Sequence, residues 1–212
     1  MISGLGDADT LYGGTGNDTL NGGAGIDSQI GGDGNDLLFV DNAADVVVEG
    51  AGGGTGDRVA ASASYTLAAG VEVESITTTA LSGLTGLSLI GNGFAQFITA
   101  NAGKDTLGDG GGLWIDTLRG MGGNDTCNIR NAASVIMEDA GQGTNDRVAA
   151  AASFVLAADD DIERLTTTSL NGTAAINLTG NALAQIISGN AGVNTLDLGA
   201  GGGGHIGGRC GQ

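Results

Sequence analysis

An aspartate that recurs every nine residues constrains the fold of this chain more than any other feature. The recurring residues are Asp9, Asp18, Asp27 and Asp36. The last three close units of pattern G-G-x-G-x-D, and Leu20 and Leu38 stand two positions after their aspartates. A short repeat of fixed period predicts a solenoid, because a single unit can bury its apolar side only by stacking on its neighbours.

Each unit contains one short strand after its aspartate, and two units make one coil. Residues 18 apart then stack, which places Asp9 over Asp27 on one edge and Asp18 over Asp36 on the other. We therefore predict an all-β fold, an elongated right-handed parallel β-solenoid. At about 4.8 Å between strands, the rod would be roughly 50 to 60 Å long.

A second period of 89 residues lies over the first. Asp57-Arg58-Val59 returns as Asp146-Arg147-Val148, and Asp27 and Asp36 map onto Asp116 and Asp125. We divide the single solenoid into a first repeat block (4–39), a spacer (40–101), a second block (102–128), a second spacer (129–190) and a remnant of a third block (191–212). In the remnant, Asn194 stands where Asp105 stood and His205 where Asp116 would repeat.

The residue types of the blocks indicate a hard cation. Glycine accepts positive φ, so the turns bend sharply and their carbonyl oxygens converge on one point. Ca²⁺ takes about six to eight oxygen ligands in a flexible geometry, which carbonyls and carboxylates supply. The predicted Ca²⁺ ligands and ligand-shaping glycines are Asp9, Gly13, Gly14, Gly16, Asp18, Gly22, Gly23, Gly25, Asp27, Gly31, Gly32, Gly34, Asp36, Asp105, Asp116, Gly123 and Asp125. We expect folding to depend on calcium, because stacked carboxylates repel one another without it.

The second block is expected to bind calcium more weakly than the first. Trp114 takes the place of a turn glycine before Asp116, and a bulky side chain at positive φ is strained. Met121 replaces a glycine before Asp125, and in the first block Gln29 occupies an inward position.

The spacers predict strands that continue the solenoid with uncharged turns. Val46–Glu49, Arg58–Leu67 and Glu74–Thr79 are short runs rich in β-formers and bounded by Gly or Asn. At Asn92 and Asn101 we expect the left-handed turn that glycine takes elsewhere. A helix is the alternative for Val148–Ala158, although Ser153-Phe154-Val155 favours a strand.

The nonapeptides resemble those of RTX proteins, the family of secreted haemolysins, serralysin-type protease C-terminal domains, lipases and mannuronan epimerases. The resemblance covers essentially the whole chain, since the spacers resemble segments found between calcium blocks in large RTX proteins. It implies a calcium-binding β-roll, export through a type I channel, folding on external calcium and an extracellular location. The tail shows no export signal of that kind, which indicates a fragment, a short reading frame or a truncated C-terminus.

The net charge of the chain limits the kinds of partner that it can bind. The chain has 24 acidic and 7 basic residues and a net charge of -17, so nucleic acid and anionic lipid are not expected to bind it. No apolar run is long enough to span a membrane. Calcium ions are the expected partners, polysaccharide is a further one, and we expect a monomer or part of a larger chain.

The sequence predicts that this chain is not an enzyme. His205 is the only histidine, so an H-E-x-x-H zinc site is impossible, and the nine-residue phase explains the paired carboxylates as metal ligands. Three function classes stay open. The first is a calcium-dependent structural module, and the second is a non-catalytic part of an extracellular protease, lipase or epimerase. The third is a polysaccharide- or ice-binding adhesin surface, suggested by Thr77–Thr79 and Thr166–Thr168, with Trp114 as a sugar platform.

Overall fold

This computed structural model describes residues 1–200 and 204–207 of the chain. These residues form twenty-two short parallel strands joined by turns and loops. No helix occurs within these residues, and accordingly none that could cross a membrane. The strands alternate between two faces of a flattened coil. Residues 201–203 and 208–212 of the predicted third block lie outside the described residues.

The odd-numbered strands form the first face. They are β1 (Ile2–Ser3), β3 (Thr19–Asn21), β5 (Leu37–Val40), β7 (Arg58–Ala61), β9 (Ser75–Thr78), β11 (Phe97–Thr99), β13 (Thr117–Arg119), β15 (Val135–Met137), β17 (Phe154–Val155), β19 (Leu178–Thr179) and β21 (Leu196–Asp197). The even-numbered strands form the second face. They are β2 (Thr10–Thr15), β4 (Ser28–Asp33), β6 (Val46–Val48), β8 (Tyr65–Thr66), β10 (Ser88–Ile90), β12 (Thr106–Gly108), β14 (Thr126–Ile129), β16 (Arg147–Ala150), β18 (Arg164–Thr167), β20 (Ile186–Ser188) and β22 (His205–Gly207).

Parallel pairing links strands two places apart along the chain, except between β6 and β8 and between β15 and β17. On the first face β1 to β15 form an eight-stranded sheet, followed by the three-stranded sheet of β17, β19 and β21. On the second face β2, β4 and β6 form one sheet and β8 to β22 another. This is the predicted parallel β-solenoid, with about 11 turns and a length of roughly 50 Å at the usual strand spacing.

Inward side chains stack in register to form a thin core. On the first face Leu20 lies against Leu38 and Leu38 against Val59, while on the second face Leu107 lies against Cys127. All five are almost fully buried, and burying a large aliphatic side chain is worth about 1.5 to 3 kcal/mol. Gln29 is buried in the same position, as predicted, where its Nε2 donates to the Phe39 carbonyl.

Coil length is constant in the first block and varies beyond it. Stacked residues are 18 apart in the first block. The register shift from β5 to β7 is 21 residues, from β7 to β9 it is 17, and from β8 to β10 it is 24. The added residues form loops outside the strands, so parallel pairing continues across these coils. The stretch predicted as strand or helix contains β16 and β17, so the strand prediction is correct.

The 89-residue period is out of step with the coil by half a turn. Asp36 precedes β5 on the first face, whereas its counterpart Asp125 precedes β14 on the second. The threonine runs Thr77–Thr79 and Thr166–Thr168 are separated in the same way, in β9 and β18. Equivalent residues of the two copies therefore lie on opposite sides of the rod.

Candidate cation-binding turns

Carboxylates form a ladder along each edge, immediately before the strands. The Asp9 backbone N–H donates to Asp27 Oδ1 at 2.8 Å, and the Asp18 N–H donates to Asp36 Oδ1 at 2.7 Å. This is the predicted stacking. The ladder then continues into the spacer, where the Asp36 N–H donates to Asp57 Oδ1 at 2.7 Å.

Glycine is required in these turns for two different reasons. The predicted glycines with left-handed φ are Gly14, Gly16, Gly23, Gly25, Gly32, Gly34 and Gly123. The first glycine of a unit is needed for space instead, because the aspartate five residues later folds back against it. At Gly31 a Cβ would lie 2.5 Å from Asp36 Oδ2, and Gly13 and Gly22 face Asp18 and Asp27 in the same way.

The second carboxylate oxygen of many of these residues is buried without a hydrogen-bond partner. The unpartnered oxygens are Asp9 Oδ2, Asp36 Oδ2, Glu49 Oε2, Asp57 Oδ2, Asp125 Oδ2, Glu138 Oε1 and Asp146 Oδ2. A buried polar atom without a partner costs about 1 to 3 kcal/mol, and more when it is charged. A cation with oxygen ligands would satisfy these atoms.

Two buried triads collect most of these oxygens. Asp36, Glu49 and Asp57 form the first, and their repeat equivalents Asp125, Glu138 and Asp146 form the second. Within each triad one oxygen per residue lies within 4.8 Å of the others. A third group, Asp27, Asp41 and Asp45, is weaker, because Asp41 is exposed and both Asp45 oxygens accept backbone N–H groups.

Burial and mutual repulsion raise the pKa values of Glu49, Asp57, Asp125, Glu138 and Asp146 in the ion-free chain. Burial, together with the charges of Asp146 and Asp125, raises the pKa of Glu138 to about 9. Burial and Asp57 raise the pKa of Glu49 to about 7. Without a cation, therefore, the three acids of a triad do not all ionise at neutral pH.

The three predicted aspartate ligands of the second block, Asp105, Asp116 and Asp125, do not share one cluster. Asp125 lies in a triad, whereas Asp116 accepts the Gln96 N–H at 2.7 Å and belongs to none of the triads. Burial, with the charge of Asp109, raises the pKa of Asp116 to about 7. Both Asp105 oxygens accept backbone N–H groups, from Leu87 and Asn101, so Asp105 is satisfied without a metal.

Amide side chains take the place of carboxylates in several of the turns that carry no triad, as at Asn92 and Asn194. Asn194 Oδ1 accepts the Ile176 N–H, the same rung of the ladder that Asp105 provides one repeat earlier. Its Nδ2 donates to the carbonyls of Asn190 and Gly192 and to Asn190 Oδ1. An NH₂ group thus lies where the turn oxygens converge, and it can satisfy them without a metal.

Sequence reasoning missed Glu49, Asp57, Glu138 and Asp146, because these residues break the nine-residue phase. A signal was present in the longer period, since an acid follows a Val- or Ile-rich strand at both Glu49 and Glu138. The expectation of uncharged spacer turns holds at Asn92, whose N–H donates to Gln96 Oε1. It is wrong at Glu49 and Asp57.

Two backbone expectations are wrong. Trp114 is not at positive φ; the strained position is Met121, with φ 70. The loop before Trp114 instead takes its bends at Gly110, Gly111 and Gly112, which leaves the Trp114 side chain 61% exposed. Asn92 and Asn101 are not left-handed either. Each stabilises its turn through its side chain, as when Asn92 Nδ2 donates to the carbonyls of Ala68 and Val71.

Comparison with known proteins agrees with this geometry. The family model of the RTX calcium-binding nonapeptide repeat matches four copies, at residues 1–29 and 115–128. The matched segments include Asp9, Asp18 and Asp27 and, in the second block, Asp116 and Asp125. No curated protein and no solved structure gives a significant match to the chain. RTX repeats bind Ca²⁺, and the oxygen-only ligand sets of these turns suit that ion.

Proposed function

We propose that this β-roll, built on RTX calcium-binding repeats, is a calcium-dependent structural module of a secreted protein, which folds when it meets extracellular calcium. One contrast carries the proposal. Turns with Asn or Gln satisfy their converging oxygens with an amide NH₂ group, whereas many of the turns with Asp or Glu bury oxygens that have no partner. Only the second kind of turn needs a cation to be stable.

The nonapeptide residues are the proposed first set of ligands. Ca²⁺ would lie between stacked coils, held by carboxylates such as Asp9 with Asp27 and Asp18 with Asp36. The carbonyl oxygens of the intervening glycine turns would supply the remaining ligands. We place Asp116 and Asp125 in the same role in the second block, and Asp105 as a structural residue of the ladder.

Folding is then coupled to calcium. The chain has no proline and 43 glycines, so ordering it costs much backbone entropy, while the thin core returns only a modest stabilisation. Extracellular modules bind Ca²⁺ in about the 10⁻⁴ to 10⁻³ M range. A chain with that affinity stays unfolded in a cytosol poor in calcium and folds outside the cell, which supports the secreted role.

A structural role fits the site better than a catalytic or adhesive one. The carboxylates are buried within turns and face one another, which suits metal ligation. The threonine runs provide no shared surface, because they lie on opposite faces and Thr78, Thr166 and Thr167 are buried. We therefore propose the structural module, alone or as the non-catalytic part of a larger extracellular protein.

Far-UV circular dichroism with and without calcium tests the proposal. We expect little strand signal in chelator and a full signal above about 10⁻³ M Ca²⁺, with Mg²⁺ at the same concentration much less effective. The variant Asp18→Asn with Asp36→Asn should raise the calcium midpoint, whereas the exposed Asp33→Asn should leave it unchanged. A full strand signal that persists in chelator at neutral pH, or a midpoint below micromolar, would contradict the proposal.

A further inference from the structure

Each spacer contributes two acids to a buried group whose third member is the last aspartate of a repeat block. Asp36 ends the first block and meets Glu49 and Asp57 from the following spacer. Asp125 meets Glu138 and Asp146 in the same way. We call these the first and second junction triads. Both lie where the coil lengthens, with 21 residues between Asp36 and Asp57 and between Asp125 and Asp146.

The junction triads are enclosed, and their free oxygens point inward. The six side chains are between 0% and 4% exposed, and each has a buried oxygen without a hydrogen-bond partner. The opposite oxygen of each aspartate is fixed by the backbone, as when the Asp125 N–H donates to Asp146 Oδ1 at 2.7 Å. The free oxygens of the four aspartates are thus held in place rather than left to rotate into solvent.

A glycine keeps one side of each triad open. At Gly120 a Cβ would lie 2.5 Å from Asp125 Oδ2 and 2.6 Å from Glu138 Oε2. Gly31, its counterpart one repeat earlier, faces Asp36 Oδ2 at 2.5 Å and is also in contact with Glu49. Backbone carbonyls lie beside the acids. Gly54 packs against both Asp57 Oδ2 and the Gly34 carbonyl, and Gly143 packs in the same way against Asp146 Oδ2 and the Gly123 carbonyl.

The residues that the structure describes supply no counterion for these acids. Among residues 1–200 and 204–207 one salt bridge is found, between Arg119 and Asp139 at the surface. Arg58 and Arg147 follow Asp57 and Asp146 in sequence, yet their Nε groups donate to Thr77 and Thr166. Three enclosed carboxylates without a basic partner require either protons or a metal cation.

We infer that each junction triad is a further Ca²⁺ site, distinct from the nonapeptide sites, which fastens a repeat block to the spacer that follows it. The inference rests on the proposed function, since it assumes that the chain folds with calcium. The oxygen-only donor set selects Ca²⁺ over Zn²⁺ or copper, which prefer nitrogen and sulfur ligands. The chain would then carry two such sites on opposite edges.

Counting bound ions tests the inference. Bound calcium per chain is measured at saturation, by equilibrium dialysis or native mass spectrometry, for the unaltered chain and for Glu49→Gln, Glu138→Gln and the double variant. We expect losses of one, one and two ions. Asp33→Asn and Asp139→Asn are the matched controls, because both change an exposed acid near a triad, and they should lose none.

A second measurement uses only the unaltered chain, so it does not depend on the folding of any variant. Crystals grown with Ca²⁺ or Tb³⁺ should show anomalous peaks about 2.3 to 2.6 Å from the free oxygens of both triads. Peaks in the nonapeptide turns but none at the triads, or unchanged ion counts in the variants, would overturn the inference and leave the proposed function intact. A chain that binds no calcium at all would refute both.

Discussion

Adding a single methyl group at Gly120 should weaken calcium binding without disturbing the rest of the fold. The Gly120→Ala side chain would enter the second junction triad, 2.5 Å from Asp125 Oδ2 and 2.6 Å from Glu138 Oε2. Ordinary contacts of a Cβ begin at 3.4 Å, so each oxygen must move by about 0.9 Å. Asp125 cannot swing away freely, because its Oδ1 accepts the Asp105 N–H at 2.7 Å.

A shift of that size is incompatible with holding Ca²⁺, whose bonds to oxygen vary only between about 2.3 and 2.6 Å. Overpacking a buried site costs about 1 to 3 kcal/mol. At about 1.4 kcal/mol per factor of ten, calcium affinity should fall roughly five- to 150-fold. In the ion-free chain the cost should be smaller, because the Glu138 carboxylate can then move.

Gly122→Ala is the matched control in the same loop. The nearest atom to its added Cβ would be Ala102 Cβ at 3.5 Å, an ordinary contact, and Gly122 is not at positive φ. Calcium titrations followed by far-UV circular dichroism give the midpoint of each variant. Midpoints of Gly120→Ala and Gly122→Ala within a factor of two of each other would refute the argument about space in the triad.

Three other predictions concern pH, the core and the calcium-free turns. In chelator the strand signal should rise as pH falls from about 9 to 6. The pKa of Glu138 in the folded ion-free chain is raised to about 9 and that of Asp125 to about 7, so protonation favours the folded state. A strand signal independent of pH in this window would contradict the prediction. Ile98→Ala, at a fully buried position, should lower the free energy of unfolding by about 2 to 5 kcal/mol in urea melts with calcium, while the exposed Ile115→Ala should change it little. Asn92→Ala should cost about 2 kcal/mol or more by the same measurement, because it leaves two carbonyls without donors, yet the number of bound calcium ions should stay that of the unaltered chain.

The parts of the fold that follow from a strict period could be predicted from the sequence. The nine-residue spacing gave the stacking of Asp9 on Asp27, and the residue two places later gave the buried positions of Leu20 and Leu38. Both results need only the repeat length and the rule that successive side chains of a strand point to opposite faces. The register of the spacers could not be obtained in this way, because loops of unequal length lie between strands that nevertheless stay paired.

The ligand set was only partly predictable for a related reason. Glu49 lies outside the nonapeptide pattern to which Asp36 belongs, and the coil of 21 residues is what brings Asp57 over Asp36. The turn at Trp114 was mispredicted because the loop moves its left-handed bends to three preceding glycines. Alignment by sequence position assumes an unchanged loop path, and loops are where that assumption fails first.

The half-turn offset between the two 89-residue copies has a consequence for how such a rod can grow. Going from β5 to β14 advances nine strands, or about 22 Å along the axis, and reverses the side on which each feature lies. Duplication of the 89-residue unit therefore combines a translation along the rod with a half-turn about its axis. The same sequence must then pack equally well whether its first strand lies on the first face or on the second. The side of the rod on which any later element lies then depends on the number of 89-residue units before it. An odd number of inserted units places that element on the opposite side, and an even number returns it to the original side.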